Sequence, residues 1–169
     1  GIEESDLILL IGTNPRFEAT MVNARIRKAY LSNNTKIISL NDVGDLTYTY
    51  EILDGKTQTI LDIAENKNDL SKKIINSKKP MIILGESFLN IKSASYLFYT
   101  LKKFLVQNNK FTDEWNPFNI LSTNAATVGN FDLDIINHEK DLIKDLNENK
   151  FELIYLLGQD NLEFNKKNE

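Results

Sequence analysis

The stretch that decides the fold is Leu7-Ile8-Leu9-Leu10-Ile11-Gly12-Thr13-Asn14-Pro15. Five consecutive apolar residues closed by a glycine are typical of a strand that is covered on both faces, as in a parallel sheet. Asparagine is a good helix N-cap and proline suits the first helical position, so a helix is expected to begin at Pro15. The stretch therefore predicts a buried strand that leads directly into a helix.

The same design, an apolar run closed by a glycine, occurs twice more along the chain. It is found at residues 81–85 and again at residues 153–158. Two further strand candidates are residues 36–40 and 119–122. Five strands spread along the whole chain are therefore expected.

Between the strands, apolar residues recur at a helical period. Residues 57–77 predict one or two helices interrupted around residues 66–68. Three further stripes consist of Ala19, Val22, Ile26 and Ala29, then Ala94, Leu97, Phe98, Leu101 and Leu105, and finally Leu142, Ile143 and Leu146. Strands that alternate with helices predict an α/β fold with a doubly wound, mostly parallel sheet and helices on both faces.

The chain is expected to form one domain over residues 1–169. A chain of this length buries roughly two thirds of its unfolded surface, which is enough for a core of its own. Two related lobes that divide near residues 77–80 are the alternative, because the strand pattern restarts there. Residues 1–6 contain no initiator Met, basic leader or apolar signal core, which predicts an internal piece of a longer polypeptide.

The composition excludes several classes of function. The chain has no cysteine, so disulfides, zinc–thiolate sites, iron–sulfur ligation and thiol catalysis within it are excluded. His138 is the only histidine. The net charge of −4 and the pI near 5.2 argue against nucleic acid as the main partner. No apolar run approaches the roughly 20 residues that a membrane span requires, so no direct membrane insertion is expected.

Ligands of open α/β sheets bind beyond the carboxyl ends of the strands, which directs attention to the loops after residues 12, 40, 85 and 158. The loop at residues 12–15 leads from strand to helix, where backbone N–H groups can bind a phosphate. It lacks the glycine-rich phosphate motifs, and Glu18 places a negative charge in the first helical turn. The favoured interpretation is a tight start of a helix. Asn41 and Asp42 could likewise hold a ribose, but they fit a simple turn better.

Residues 85–89, Gly-Glu-Ser-Phe-Leu, resemble a nucleophile elbow, and Ser87, Asp132 and His138 occur in the order of a hydrolase triad. An elbow needs a small residue two places after the serine, and that place holds Leu89. A hydrolase is therefore the weakest alternative.

Two polar segments are candidates for contact with another protein. Along the first helix, Arg16, Thr20, Asn23 and Arg27 fall on one strip, which is either a solvated face or a docking face for a carboxylate-bearing partner. In residues 45–51, Tyr48 and Tyr50 either pack a loop over the sheet or anchor a subunit contact.

Several blocks of the sequence resemble the large iron–sulfur subunit of respiratory complex I, NADH:quinone oxidoreductase. The most specific block covers residues 12–19 (GTNPRFEA) and 23–28 (NARIRK). Residues 45–50, 79–85 and 155–158 match further blocks of that subunit in the same order. The resemblance runs across nearly the whole chain.

The resemblance implies a segment of that subunit's C-terminal region, which is similar to molybdopterin oxidoreductases such as formate dehydrogenase. In those enzymes, loops like residues 12–15 hold the nucleotide parts of the cofactor, and an Asp-Pro-Arg turn follows a later strand. This chain has Glu18 in the helix start, and Asn41-Asp42-Val43 in place of Asp-Pro-Arg. We therefore expect no catalytic, cofactor-binding or metal-ligating residue here. A nucleotide- or molybdopterin-binding oxidoreductase domain is the alternative.

The resemblance also implies a setting in the respiratory electron-transport chain. The full subunit would carry its 2Fe–2S and 4Fe–4S clusters on N-terminal cysteines outside this chain. The expected partners are other peripheral-arm subunits of complex I and the rest of the same subunit. The expected location is the matrix side of the mitochondrial inner membrane, or the cytoplasmic side of a bacterial inner membrane. The expected function is a non-catalytic structural domain that supports electron transfer from NADH to ubiquinone in a proton-translocating oxidoreductase.

Overall fold

The computed structural model describes residues 1–124, 126–134, 144–145, 148, 150–153 and 155. The chain divides into two compact units, Gly1–Ala125 and Ala126–Glu169. The predicted strand at residues 153–158, the helical stripe at residues 142–146 and His138 lie wholly or partly outside the described residues. The fold described below is that of the first unit.

The first unit is built on a five-stranded, all-parallel sheet. Its strand order is β3-β2-β1-β4-β5, so β1 is central and the chain winds outward from it in both directions. The strands are β1 Leu7–Ile11, β2 Lys36–Ser39, β3 Glu51–Ile52, β4 Pro80–Gly85 and β5 Phe118–Leu121. The α/β prediction with a doubly wound parallel sheet is confirmed. Strands on both sides of residues 77–80 pair in this one sheet.

Six α-helices connect or flank these strands in the described part of the first unit, and a short 3-10 helix, Ile2–Glu4, precedes β1. The α-helices are α1 Pro15–Glu18, α2 Thr20–Asn33, α3 Thr57–Ala64, α4 Asp69–Asn76, α5 Glu86–Leu89 and α6 Ala94–Gln107. The second unit contributes α7 Thr127–Asp132. In the part of the chain that the structure describes, no helix has both the length and the apolar composition to cross a membrane.

The helix boundaries confirm one prediction and correct another. The predicted interruption of residues 57–77 falls between α3 and α4, where Asn66 adopts a left-handed conformation with φ 59°. The single helix expected after Pro15 is instead broken at Ala19, whose φ of −154° and ψ of 78° are not helical. No glycine or proline, which would predict a helix break, stands at this point of the sequence.

The core lies on both faces of the sheet, because successive residues of a strand point to opposite sides. Leu7, Leu9 and Ile11 of β1 belong to a cluster that includes buried residues of α3, α4 and α6. Ile8 and Leu10 belong to a second cluster, which includes Ile26 of α2, Leu46 and Trp115. Both faces of β1 are therefore covered, which explains why its sequence is apolar without alternation.

A carboxylate fastens the start of β1 to the turn before β4. Asp6 Oδ2 accepts a hydrogen bond from the Lys78 backbone N at 2.7 Å, and Oδ1 accepts from the Lys79 backbone N at 3.0 Å and from the Ser77 hydroxyl. Burial raises the pKa of Asp6, but the three hydrogen bonds outweigh it and hold the pKa below its ordinary value. The ionised form of Asp6 therefore stabilises the fold.

Replacing Asp6 by asparagine should destabilise the chain at neutral pH by about 1 kcal/mol, a value reduced by the partial exposure of the carboxylate. Because the folded-state pKa is lowered, the contribution is present above the ordinary carboxyl pKa and is lost as the pH falls through the folded-state value. Urea unfolding at neutral pH and at about pH 3 measures the difference. Asp113→Asn, at an exposed position, is the control. An equal difference at both pH values would contradict the assignment.

Candidate functional site at the carboxyl end of the sheet

A cleft of about 390 Å³ opens beyond the carboxyl ends of β1 and β2. Its walls include Gly12 and Thr13 after β1, Asn41 after β2, Gly55 before α3 and Phe88 in α5. This is the edge of the sheet where ligands of doubly wound folds bind. The loops after residues 12, 40 and 85, which the sequence analysis singled out, therefore all line this cleft.

The loop after β1 binds a carboxylate of its own. Thr13 Oγ1 donates a hydrogen bond to Glu18 Oε2 at 2.6 Å, and the Asn14 backbone N donates to Glu18 Oε1 at 3.0 Å. In a phosphate-binding loop, such N–H and hydroxyl donors face the ligand. Here both donors are used by a side chain from the same turn.

Asn14 connects this loop to the one that follows β2. Its Oδ1 accepts from the Arg16 backbone N at 3.1 Å, which is the predicted N-cap of α1. Its Nδ2 donates to the carbonyl oxygen of Val43 at 2.8 Å. The polar groups at the start of α1 thus have partners within the chain.

The crevice between β1 and β4, where the winding direction of the sheet changes, is closed by close backbone packing. Gly12 has a φ of 62°, and a Cβ built on it would lie 2.6 Å from the backbone N of Phe88. A Cβ built on Gly85 would overlap the carbonyl oxygen of Gly12 and lie 2.6 Å from Cβ of Thr13. Glycine is required at both positions because the two loops lie against each other. At these two glycines, the loops after β1 and β4 are in close contact.

Ser87 takes part in the same packing. Its hydroxyl donates to the carbonyl oxygen of Gly12 at 2.5 Å. Of its proposed triad partners, Asp132 belongs to the second unit and His138 lies outside the described residues. The triad therefore stays a prediction, and the contact that the structure gives the serine is a structural one.

A second carboxylate, which the sequence analysis did not single out, fastens the loop after β5. Glu86, the residue directly after β4, accepts from the Thr123 backbone N at 2.9 Å, from Ser122 Oγ at 3.1 Å and from the Thr123 hydroxyl. These hydrogen bonds hold the pKa of Glu86 below its ordinary value. The signal in the sequence is its place in a first helical turn, which it shares with Glu18.

Asp42 is a turn residue. Its Oδ1 accepts from the Gly44 backbone N at 2.9 Å and from the Tyr50 hydroxyl at 3.1 Å. A side chain that accepts the N–H two residues further on forms an Asx turn. This geometry agrees with the turn interpretation of residues 41–42.

The predicted docking strip on the first helix is not a single solvated face. Asn23 is buried, since its Nδ2 donates to the Leu46 carbonyl at 3.0 Å and its Oδ1 accepts from the Tyr48 hydroxyl at 2.8 Å. Arg16 Nη1 donates to the carbonyl oxygen and to Oδ2 of Asp45, at 2.7 and 2.5 Å. Two of the four strip residues therefore bind within the chain. They hold residues 45–48 over the sheet.

The tyrosines follow the first of the two alternatives, in which they pack a loop over the sheet. Tyr48 and Tyr50 both pack against the cluster that contains Leu46 and Trp115. The ring of Tyr48 lies 6.1 Å from that of Tyr30, and its burial raises the pKa of its hydroxyl. These side chains stabilise the fold at this edge.

A carboxylate of the chain already uses two donors at the start of α1. A phosphate placed at the start of α1 would meet the Glu18 carboxylate, which already accepts from Thr13 and Asn14. The glycines after β1 and β4 leave no gap between their loops. Among the described residues, no cluster of three acidic or histidine side chains is arranged to hold a metal ion.

Comparison with known proteins places this geometry in a family. The chain is 40% identical to the NADH-ubiquinone oxidoreductase 75 kDa subunit of Reclinomonas americana over 99% of its own length and 24% of that protein. It is 36% identical to the mitochondrial NADH dehydrogenase (ubiquinone) iron-sulfur protein 1 of Solanum tuberosum, over 98% of this chain and 22% of that protein. A mitochondrial 78 kDa subunit of Neurospora crassa is 37% identical, again over 98% and 22%.

These relatives confirm the resemblance predicted from the sequence blocks, and the chain spans less than a quarter of their length. The family model of the molybdopterin oxidoreductases matches residues 1–169. A parallel α/β sheet with its loops gathered at the carboxyl edge is consistent with that match. The chain belongs to the molybdopterin oxidoreductase family.

Proposed function

We propose that the chain is a non-catalytic structural domain of the large iron–sulfur subunit of NADH–ubiquinone oxidoreductase, respiratory complex I. The proposal is supported by identities of 36 to 40% to three such subunits over nearly the whole chain. The whole protein would be an oxidoreductase, and its 2Fe–2S and 4Fe–4S clusters would be bound by cysteines elsewhere, since this chain has none.

The observation that carries the non-catalytic role is the bound carboxylate of Glu18. An ancestral anion site at the start of α1 would need free donors, and Glu18 uses the Thr13 hydroxyl and the Asn14 N–H. The Glu18 carboxylate accepts the hydrogen bonds that a phosphate would accept in a cofactor-binding relative. Because Glu18 is part of the chain, no ligand is needed to satisfy these donors. The loops then hold the sheet together and need no prosthetic group.

The proposed partners are the rest of the same subunit and other subunits of the peripheral arm. The proposed location is the matrix side of the mitochondrial inner membrane, by analogy with the mitochondrial relatives of Solanum tuberosum and Neurospora crassa. The domain would support the path of electrons from NADH to ubiquinone by keeping neighbouring parts in position. It would not carry electrons itself.

The alternative, a nucleotide- or molybdopterin-binding domain, is favoured by the cleft at the strand ends. Elemental analysis and a thermal-shift titration with guanine nucleotides separate the two. For the isolated 169-residue chain, the proposal expects less than one equivalent of molybdenum or iron and no rise in melting temperature. A ligand at 100 times its Kd would add about 2.7 kcal/mol, which is readily measured. A stoichiometric metal or a nucleotide-dependent shift would establish the alternative.

Variants of Glu18 test the structural part of the proposal. Glu18→Ala should destabilise the chain by about 1–2 kcal/mol, because the Asn14 N–H and the Thr13 hydroxyl lose their acceptor. The matched control is Asp69→Ala, another acid in a first helical turn, whose side chain is 90% exposed. The control should change the stability by less than about 0.5 kcal/mol. Equal losses of stability in the two variants would contradict the proposal that Glu18 satisfies the donors of the loop after β1.

A further inference from the structure

The outer side of α6 is an exposed surface of tyrosine and lysine. Its residues, here called the α6 outer face, are Tyr96, Tyr99, Lys102, Lys103 and Val106. The side chains of Tyr96, Tyr99 and Val106 are 63, 69 and 55% exposed. The opposite side of the helix is buried in the core and packs against α3. The helix is therefore firmly held while its outer face has no partner within the described chain.

This face carries a local positive charge in an acidic chain. Residues 87–112 contain four lysines and no aspartate or glutamate, whereas the whole chain has a net charge of −4. Lys110 of this stretch donates to the carbonyl oxygens of Ile75 and Ser77. Lys92, Lys102 and Lys103 are exposed and free of ion pairs to any described carboxylate.

The neighbouring helix does not neutralise these charges. The acids of α3 and its C-cap are Asp62 and Glu65. Asp62 accepts from Gln58 at 2.9 Å, and Glu65 pairs with Lys67 at 2.5 Å. Elsewhere in the described chain, eight lysines are paired with nearby acids: Lys28, Lys56, Lys67, Lys72, Lys73, Lys79, Lys144 and Lys150. Lys102 and Lys103 therefore differ from most of the described lysines. Outside residues 87–112, only Lys36 and Lys78 among the described lysines also lack an ion pair to a described acid.

We infer that the α6 outer face docks on an acidic protein surface outside this chain. Tyrosine, with an apolar ring and a polar tip, is enriched in protein interfaces. Tyr96 and Tyr99 lie between Lys92 and Lys102 in the chain, which suits the centre of a contact. The flanking lysines would pair with carboxylates at the rim, where complementary charge steers association and fixes orientation. Three free lysines in an acidic chain are too few for nucleic acid, whose binding needs many phosphate contacts.

The inference goes beyond the proposed function, because it identifies which surface meets a partner and applies to any assembly that contains the chain. An amine-reactive label applied to the native full-length protein tests it. Labelling of Lys102 and Lys103 should fall by about fivefold or more relative to the same protein in about 1 M salt, where ion pairs across the contact are screened. Lys56 and Lys72, both 73% exposed and paired within the chain, are the internal controls.

A photoreactive phenylalanine analogue at Tyr99 then identifies what covers the face. A crosslink to a glutamate- or aspartate-rich protein peptide supports the inference, whichever protein supplies it. The identity of the crosslinked protein tests the proposed function separately. That function requires the protein to be a subunit of the respiratory complex or another part of the same subunit. A crosslink to lipid, nucleic acid or a peptide without acidic residues would overturn the inference.

The double variant Lys102→Glu and Lys103→Glu provides an independent readout. It should weaken association of the full-length protein with its partner by about tenfold, while Lys72→Glu should leave it unchanged. The melting temperature of the variant chain should stay that of the wild type, because both side chains are exposed. Unchanged association together with equal labelling of all four lysines would show that the face stays in solvent, and would refute the inference.

Discussion

Replacing Gly85 by alanine is expected to destabilise the chain by about 3 kcal/mol, one of the two largest effects that we predict for a single substitution. The added methyl group would overlap the carbonyl oxygen of Gly12 and lie 2.6 Å from Cβ of Thr13. Both neighbours belong to the turn between β1 and α1, so neither can move without disturbing the central strand. Urea unfolding followed by far-UV circular dichroism measures the loss.

Gly44→Ala separates this clash from ordinary backbone strain. Gly44 has a φ of 76°, so alanine is strained there, but nothing lies within 4 Å of the added carbon. The control should cost about 1 kcal/mol, the usual penalty for a left-handed residue with a Cβ. If Gly85→Ala costs no more than this control, the two strand-end loops are not packed as closely as described, and the closure of the crevice between β1 and β4 is wrong.

Replacing Phe104 by alanine should destabilise the chain by about 3–5 kcal/mol. Phe104 is 1% exposed and lies among residues of β1, β4, α3 and α6 in the larger core cluster. Removing the ring leaves a cavity that rigid strands cannot fill, so the loss includes a cavity term as well as lost burial. Chemical denaturation of the purified chain, with the slope checked against the wild type, measures it.

Tyr99→Ala, on the outer side of the same helix, is the matched control. Its ring is 69% exposed, and the expected change in stability is below about 0.5 kcal/mol. The pair also tests the α6 outer face, because a tyrosine that adds nothing to folding is available for a partner. A large loss from Tyr99→Ala would mean that the ring packs within the chain, and the docking inference would lose its central contact.

The strands that could be predicted from the sequence are those with buried apolar runs. β1, β2, β4 and β5 were expected within one or two residues of their observed bounds. β3 was missed because it is a pair of exposed residues, Glu51 and Ile52. Only its pairing with Ile38 and Ser39 of β2 makes it a strand, and such a pairing leaves no periodic signal in the local sequence.

The break at Ala19 was missed for the opposite reason, since alanine is the best helix former. The turn is set by contacts of the preceding residues, in which the Glu18 carboxylate reaches back to Thr13 and Asn14. Those contacts are side-chain hydrogen bonds, which helix propensity does not take into account, although they span only a few residues. Local propensity therefore predicts a continuous helix where the observed backbone bends.

The candidate site was predictable in position and only partly in detail. The carboxyl edge of the sheet follows from the strand pattern, and Glu18 was recognised as an obstacle to an anion. That it satisfies the loop donors itself required the geometry. Asn23 was placed on a polar strip, yet it is buried because Tyr48 and Leu46 fold over it. Burial by a distant loop cannot be inferred from helical spacing.

The strand register has a consequence for synthesis on the ribosome. The central strand β1 pairs with β4, and the partner of Leu7 is Pro80, 73 residues later in the chain. At typical elongation rates of about 5–20 residues per second, β1 waits roughly 4–15 s for that partner to be made. During this interval the five apolar residues of β1 lack their pairing with β4, so the nascent chain carries an incompletely covered apolar strand that is prone to aggregation.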